Sequence, residues 1–158
     1  MTTLTVQGLH KTYTLRNGLN FTTLEAVKDV DLDLRPGRTV ALVGQSGSGK
    51  STIAKILAQL EKPTSGTITL DGEPIGTRGK ALAHYRDHVQ MVFQDPFASL
   101  NPFHTIGHHL ERPLLLHRKA TRATLRAKVC ELLERVNLTP ADSFIDRRPH
   151  ELSGGQRQ

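Results

Sequence analysis

Eight residues, Gly44-Gln45-Ser46-Gly47-Ser48-Gly49-Lys50-Ser51, fit the pattern G-x-x-x-x-G-K-[ST] and follow the apolar run Thr39-Val40-Ala41-Leu42-Val43. That order asks for a buried strand, a tight loop and a helix, because glycines let the backbone fold back until several N–H groups converge on one anion. A helix opening near Lys50 would aim its positive dipole end at the same point. The following apolar residues Ile53, Ile56, Leu57 and Leu60 recur at helical spacing, which a flexible Gly/Ser linker would not need. Gly44, Gln45, Ser46, Gly47, Ser48, Gly49, Lys50, Ser51 and Thr52 are therefore expected to hold a nucleoside triphosphate. Lys50 would reach its β- and γ-phosphates and Ser51 would place a hydroxyl on Mg²⁺.

At 158 residues the chain has room for a real core, and a 37% hydrophobic content suits a soluble globular fold. No apolar run approaches the ~20 residues needed to span a bilayer, and Met1-Thr2-Thr3-Leu4-Thr5 does not open a secretory leader. The single cysteine, Cys130, falls at an apolar position of a helical pattern and reads as packing, which fits a reducing cytoplasm. The formal charge is +6, with the densest basic stretch at His117 to Lys128. That stretch has no aromatic residue to stack on bases, so a solvated helix face is the reading and nucleic acid is not an expected partner.

Along the chain, Leu4-Thr5-Val6 and the alternating Val30-Asp31-Leu32-Asp33-Leu34 predict strands, and Pro36-Gly37 predicts a turn into the strand 39–43. Pro63-Thr64-Ser65-Gly66 predicts a loop, Thr67-Ile68-Thr69-Leu70 a strand and Asp71-Gly72 a tight turn. Val89-Gln90-Met91-Val92-Phe93 predicts a buried strand ended by Gln94-Asp95-Pro96. From Thr105 to Leu138 the period turns helical, most clearly at Leu125, Val129, Leu132, Leu133 and Val136, and Pro140 stops it. These elements predict an α/β architecture: a nucleotide-binding core over residues 1–94 with an N-terminal antiparallel piece, then a helical subdomain over residues 95–158.

The last motif, Leu152-Ser153-Gly154-Gly155-Gln156, predicts a turn and helix start exposing a hydroxyl and several N–H groups. With the loop at 44–51 and the strand-end Gln94, the chain resembles the ATP-binding subunit of ABC transporters over nearly its whole length. Gly44 to Ser51 match that family's Walker A motif, Gln94 its Q-loop and Leu152 to Gln156 its signature sequence, while Tyr13 matches the aromatic that stacks on adenine. The wording Phe93-Gln94-Asp95-Pro96-Phe97-Ala98-Ser99-Leu100-Asn101-Pro102 and Pro149 to Gln158 is similar to the dipeptide and oligopeptide importer branch, much of it shared with nickel and glutathione importers.

The resemblance implies a P-loop NTPase fold, incomplete at its C-terminal side, with ATP and Mg²⁺ as cofactors. It gives Lys50 and Gln94 roles in hydrolysis, and Ser51 and Gln94 roles at the metal. It gives Leu152, Ser153, Gly154, Gly155 and Gln156 contact with ATP bound by a second ATP-binding subunit in a head-to-tail dimer. Transmembrane permease subunits are implied partners, which would place the protein in the cytoplasm against the inner face of the membrane. The family's Walker B acid, its adjacent glutamate and its switch histidine match no residue here, since Asp95, Asp142 and Asp146 do not follow an apolar strand and His150 precedes the signature. Hydrolysis by these 158 residues alone is thus not expected, and the unpaired edge of the sheet is expected to lower solubility.

A non-hydrolysing nucleotide-binding interaction fragment and a P-loop kinase are the alternatives. His104, His108, His109 and His117 lack a carboxylate or cysteine at ligand spacing and read as a polar face, and Phe97 and Phe103 as packing or partner contacts.

Overall fold

The computed structural model describes residues 2–18, 20–93, 95 and 99–158, and the chain divides into two compact units, 1–91 and 92–158. In the first, β1 (Leu4–Asn17) and β2 (Asn20–Leu34) form a long antiparallel hairpin. β3 (Ser65–Leu70) pairs antiparallel with the other side of β1, and the short β4 (Glu73–Pro74) completes the order β2-β1-β3-β4. The alternation of β1 puts Leu4 and Val6 on the core face. Leu9 is an odd number of residues further on, yet it too is fully buried. A register shift between Val6 and Leu9 makes this possible: Gly8 takes φ +57° and its N–H donates to the Asp31 carboxylate at 2.6 Å. One extra residue flips every later side chain to the opposite face, so the bulge returns Leu9 to the interior.

Against this sheet packs α1 (Lys50–Leu57), burying Ile53 and Ile56 one turn apart among Leu4, Val6, Leu9, Val27 and Ile68. Fully burying one such side chain contributes about 1.5–3 kcal/mol. The helix α2 (Gly79–His88) adds Tyr85, 1% exposed, whose hydroxyl donates to the Leu57 carbonyl at 2.5 Å. That bond satisfies one of the carbonyls that the last turn of α1 leaves without an intrahelical partner.

The second unit is helical: α3 (Ile106–Leu116), α4 (Leu125–Arg135), α5 (Asp142–Ile145), a 3-10 turn (Pro149–Glu151) and α6 (Gly154–Arg157). Val129 and Leu133, one turn apart on α4, meet Ile106, Ala141, Phe144, Ile145 and Leu152 in a separate core. Gly107 lies so close to Ile145 that a Cβ would stand 2.8 Å from its Cγ1, so α3 and α5 pack almost backbone to side chain.

The structure departs from several sequence expectations. Residues 39–45 and 89–93 carry no strand, because an extended segment becomes a strand only with a hydrogen-bonded neighbour, and among the described residues neither segment pairs in a sheet. Val43 is 92% exposed and Val92 79% exposed, against the buried positions expected of both runs. β3 begins at Ser65 instead of Thr67, since pairing with His10 extends it into the expected loop. The single helical stretch 105–138 is two helices separated by residues 117–124, where Arg118 adopts φ +54°. Val136 is the C-cap of α4 and is 64% exposed, and Phe103 is 83% exposed, so neither packs in the core.

Asp142 opens α5, where it accepts from Arg126 at 2.8 Å. The Asp71-Gly72 turn joins β3 to β4 with φ +53° and +85°, the pair of positive values that a two-residue hairpin of this twist requires. Cys130 is a free thiol packed against the second core. No described helix is long and apolar enough to cross a membrane.

Candidate functional site

The loop 44–49 runs from the extended segment into α1, and residues 44–48 are exposed. Gly49 is the N-cap of α1 at φ +88°, a left-handed conformation that costs other residues roughly 1–2 kcal/mol. A Cβ there would collide with the carbonyl oxygen of Ala26 on β2, so the glycine is required twice over. The Ser48 N–H donates to the Gln45 carbonyl at 3.2 Å, and the Ile53 N–H to the Gly49 carbonyl at 2.9 Å, which fixes the first turn of the helix. The N–H groups of that first turn are the ones an α-helix leaves without partners, and α1 has no acidic residue there to neutralise them.

Lys50 folds back over the loop. Its ammonium donates to the Gly44 carbonyl at 2.7 Å, the Gln45 carbonyl at 2.6 Å and the Ser48 hydroxyl at 3.1 Å. Three donors are thereby engaged, which holds the charge against the loop. A polyanion suits the positive end of the helix with a cation beside it and open space at Gly47, and would compete with the loop carbonyls for the ammonium. Ser51 is exposed beside them, and Thr52 is half-buried behind it.

Tyr13, half-buried on β1 opposite Leu24, belongs to the same unit. Its hydroxyl interacts with Glu61 and with Thr52. The Glu61 carboxylate, and then burial, push the phenol above its ordinary value, while Thr52 acts the other way. Glu61 is held below the usual carboxylate range, first by the Tyr13 hydroxyl and, opposing burial, by Lys11 as well. Glu61 and Lys11 were invisible in the sequence, where some fifty residues of no distinctive pattern separate them. The sole hint was that Lys11 lies two residues before Tyr13 on one strand.

In the second unit, Ser153 is the N-cap of α6 and its Oγ accepts from the Gln156 N–H at 3.3 Å, while the Ser153 N–H donates to Gln156 Oε1 at 3.0 Å. This reciprocal pair is a capping box, which is why a turn with two glycines starts a helix at all. Leu152 is buried, anchoring the turn in the second core, and Ser153, Gly154, Gly155 and Gln156 are exposed. Gln94 and Phe97 lie outside the described residues. The basic stretch is partly neutralised, with Lys128 on Glu131 at 2.6 Å and Arg126 on Asp142 and Asp146. His104 and His108 stack face to face with centroids 4.1 Å apart, an arrangement that uses ring faces instead of converging nitrogens on a metal.

Comparison with known proteins shows the family. Residues 27–158 match the model of the family described as ABC transporter. The chain is 45% identical over 159 residues to the glutathione import ATP-binding protein GsiA of Pectobacterium atrosepticum, covering 98% of this chain and 25% of that one. It is 41% identical over 160 residues to the di/tripeptide transport ATP-binding protein DppF of Pseudomonas aeruginosa, covering 99% and 49%. The chain thus spans about a quarter to a half of these relatives. Its fold superposes with a TM-score of 0.75 on a dimeric ATP-binding cassette in a post-hydrolysis state bound to ADP and Pi, at 30% identity, covering 98% of this chain and 65% of that one.

Proposed function

The chain belongs to the ABC transporter family, and on that premise we propose that it binds ATP with Mg²⁺ at residues 44–52 as part of an ATP-binding subunit that powers import, with peptides as the transported class. The observation that carries this reading is the Lys50 ammonium centred on the Gly44 and Gln45 carbonyls at the start of α1. A triphosphate would meet there the cation, the loop amides and the helix end, while the Ser51 hydroxyl would ligate Mg²⁺. The metal would supply charge neutralisation across the phosphates. Gln94 is proposed, on its match to the family's motif, to serve that metal and the attacking water.

The exposed Ser153-Gly154-Gly155-Gln156 turn would face ATP held by a second subunit, head to tail. The relatives named for glutathione and di/tripeptide import support the peptide class. Membrane-spanning permeases are then the proposed partners, with the protein at the cytoplasmic side of the membrane. By themselves the 158 residues are proposed to hold ATP without sustained hydrolysis, because no carboxylate here is assigned to orient water. Isothermal titration with MgATP tests the core of the proposal. Wild type should bind, and Lys50→Ala should weaken binding by about 10- to 100-fold, the value of one or two charge-assisted hydrogen bonds. Equal affinities in two folded proteins would overturn it.

A further inference from the structure

Tyr13 is fixed by a strut that joins both ends of α1 to β1. At the C-terminal end, the Leu60 and Glu61 N–H groups both donate to the Lys55 carbonyl, at 2.9 and 3.3 Å, tying the following loop to the helix. That loop is fastened to β1 at four points. The Thr64 N–H donates to the His10 carbonyl at 2.9 Å, the Thr12 N–H to Thr64 Oγ1 at 2.9 Å, the Lys11 ammonium to the Lys62 carbonyl at 2.8 Å, and the same ammonium pairs with Glu61 at 3.3 Å. Lys11 and Glu61 side chains are only 15% and 23% exposed, so the pair is shielded more than an ordinary surface bridge. The Lys11 ammonium also sits 4.9 Å from the Tyr13 ring centroid, within cation–π range. Lys11 thus links the Tyr13 ring to Glu61, and the Tyr13 phenol feels Glu61 and, at the N-terminal end of α1, Thr52, the residue that follows residues 44–51.

We propose that Lys11 and Glu61 are positioning residues that hold the Tyr13 ring as a platform for the adenine base, at a distance from the phosphate loop set by the length of α1. This rests on the ATP reading of the loop and on Tyr13 as the base-stacking residue. Lys11 lies over one face of the ring, so a base would take the other, and a ring already held by that cation needs less ordering on stacking. Lys11 and Glu61 act through Tyr13 and touch no phosphate. Their effect therefore belongs to the base half of the ligand alone.

The test compares MgATP with magnesium tripolyphosphate, which carries the phosphates without base or sugar, by calorimetry on the 158-residue chain. Tyr13→Ala should lower the ATP-to-tripolyphosphate affinity ratio about ten-fold, the scale of one base–aromatic stack. Lys11→Met should lower it about five-fold and Glu61→Gln about three-fold. Lys11→Met is the decisive variant: it removes a positive charge, so general electrostatics would weaken the more highly charged tripolyphosphate at least as much as ATP and could not lower the ratio. Glu61→Gln is its companion. It keeps the side-chain shape in a surface loop, which preserves the fold if Lys11→Met does not, and tripolyphosphate binding reports that the loop is intact. An unchanged ratio in Lys11→Met or Glu61→Gln, beside a lowered ratio in Tyr13→Ala, overturns the strut and leaves the base-stacking role standing. An unchanged ratio in Tyr13→Ala overturns that role itself, and the strut with it.

Discussion

Gly49 and Ala26 touch backbone to backbone: the carbonyl of Ala26 on β2 occupies the space where a side chain on Gly49 would begin. Hairpin and phosphate loop are therefore built as one piece. Gly49→Ala should meet this clash as well as the roughly 1–2 kcal/mol of a left-handed backbone. The expected outcome is a lowered melting temperature of the first unit and loss of ATP binding, read by calorimetry and circular dichroism. Unchanged stability would mean that the helix start can shift away from β2.

The signature turn is expected to matter only between subunits. Ser153→Arg should leave ATP binding to an isolated chain within about two-fold, since it lies in the other unit from Lys50. It should abolish ATP-dependent self-association of an ATP-binding subunit that carries it, measured by light scattering. Normal association would place the turn away from the interface.

Tyr85 gives the first unit an alkaline limit. Burial pushes its phenol up to about 12 from 10.0, so the folded state favours the protonated form. A group whose folded value is raised contributes its full stability below the unfolded value and loses it as pH rises through the folded one. Stability in urea should accordingly fall between about pH 10 and 12, and Tyr85→Phe should flatten that part of the profile. At pH 7 the same substitution should cost about 1 kcal/mol for the bond to Leu57.

Sustained phosphate release from the 158-residue chain is expected to remain at background even where ATP binds. Losing a general base alone removes ~10²- to 10⁴-fold in rate. A coupled enzymatic phosphate assay checks this, with Lys50→Ala as the contamination control. Turnover at the rate of an intact ATP-binding subunit, abolished by that substitution, would place catalytic groups among residues assigned no such role here.

The phosphate loop was legible because its chemistry is local: residues 44–51 must be those types in that order to bend, expose amides and begin a helix. The capping box at Ser153 and Gln156 was half legible, since the turn and helix start follow from Ser-Gly-Gly but the reciprocal bonds appear only in the coordinates. The apolar runs 39–43 and 89–93 misled because apolar composition predicts burial, whereas a strand also needs a neighbour to share its hydrogen bonds. Lys11 and Glu61 escaped altogether. Two ordinary surface-type charges acquire meaning only when β1 and the end of α1 bring them together.

The capping box carries a consequence for how substitutions at Ser153 are interpreted. α6 is one turn long and two of its four residues are glycine, each costing about 1 kcal/mol against alanine in a helix. Such a turn has little cooperativity of its own, so the two bonds between Ser153 and Gln156 carry much of its start. Ser153→Ala would therefore delete a hydroxyl and unwind the surface bearing it in the same stroke. Ser153→Asn, which retains helix-starting ability while changing the exposed chemistry, separates those two losses. Amide exchange at Gln156 shows which of them has occurred.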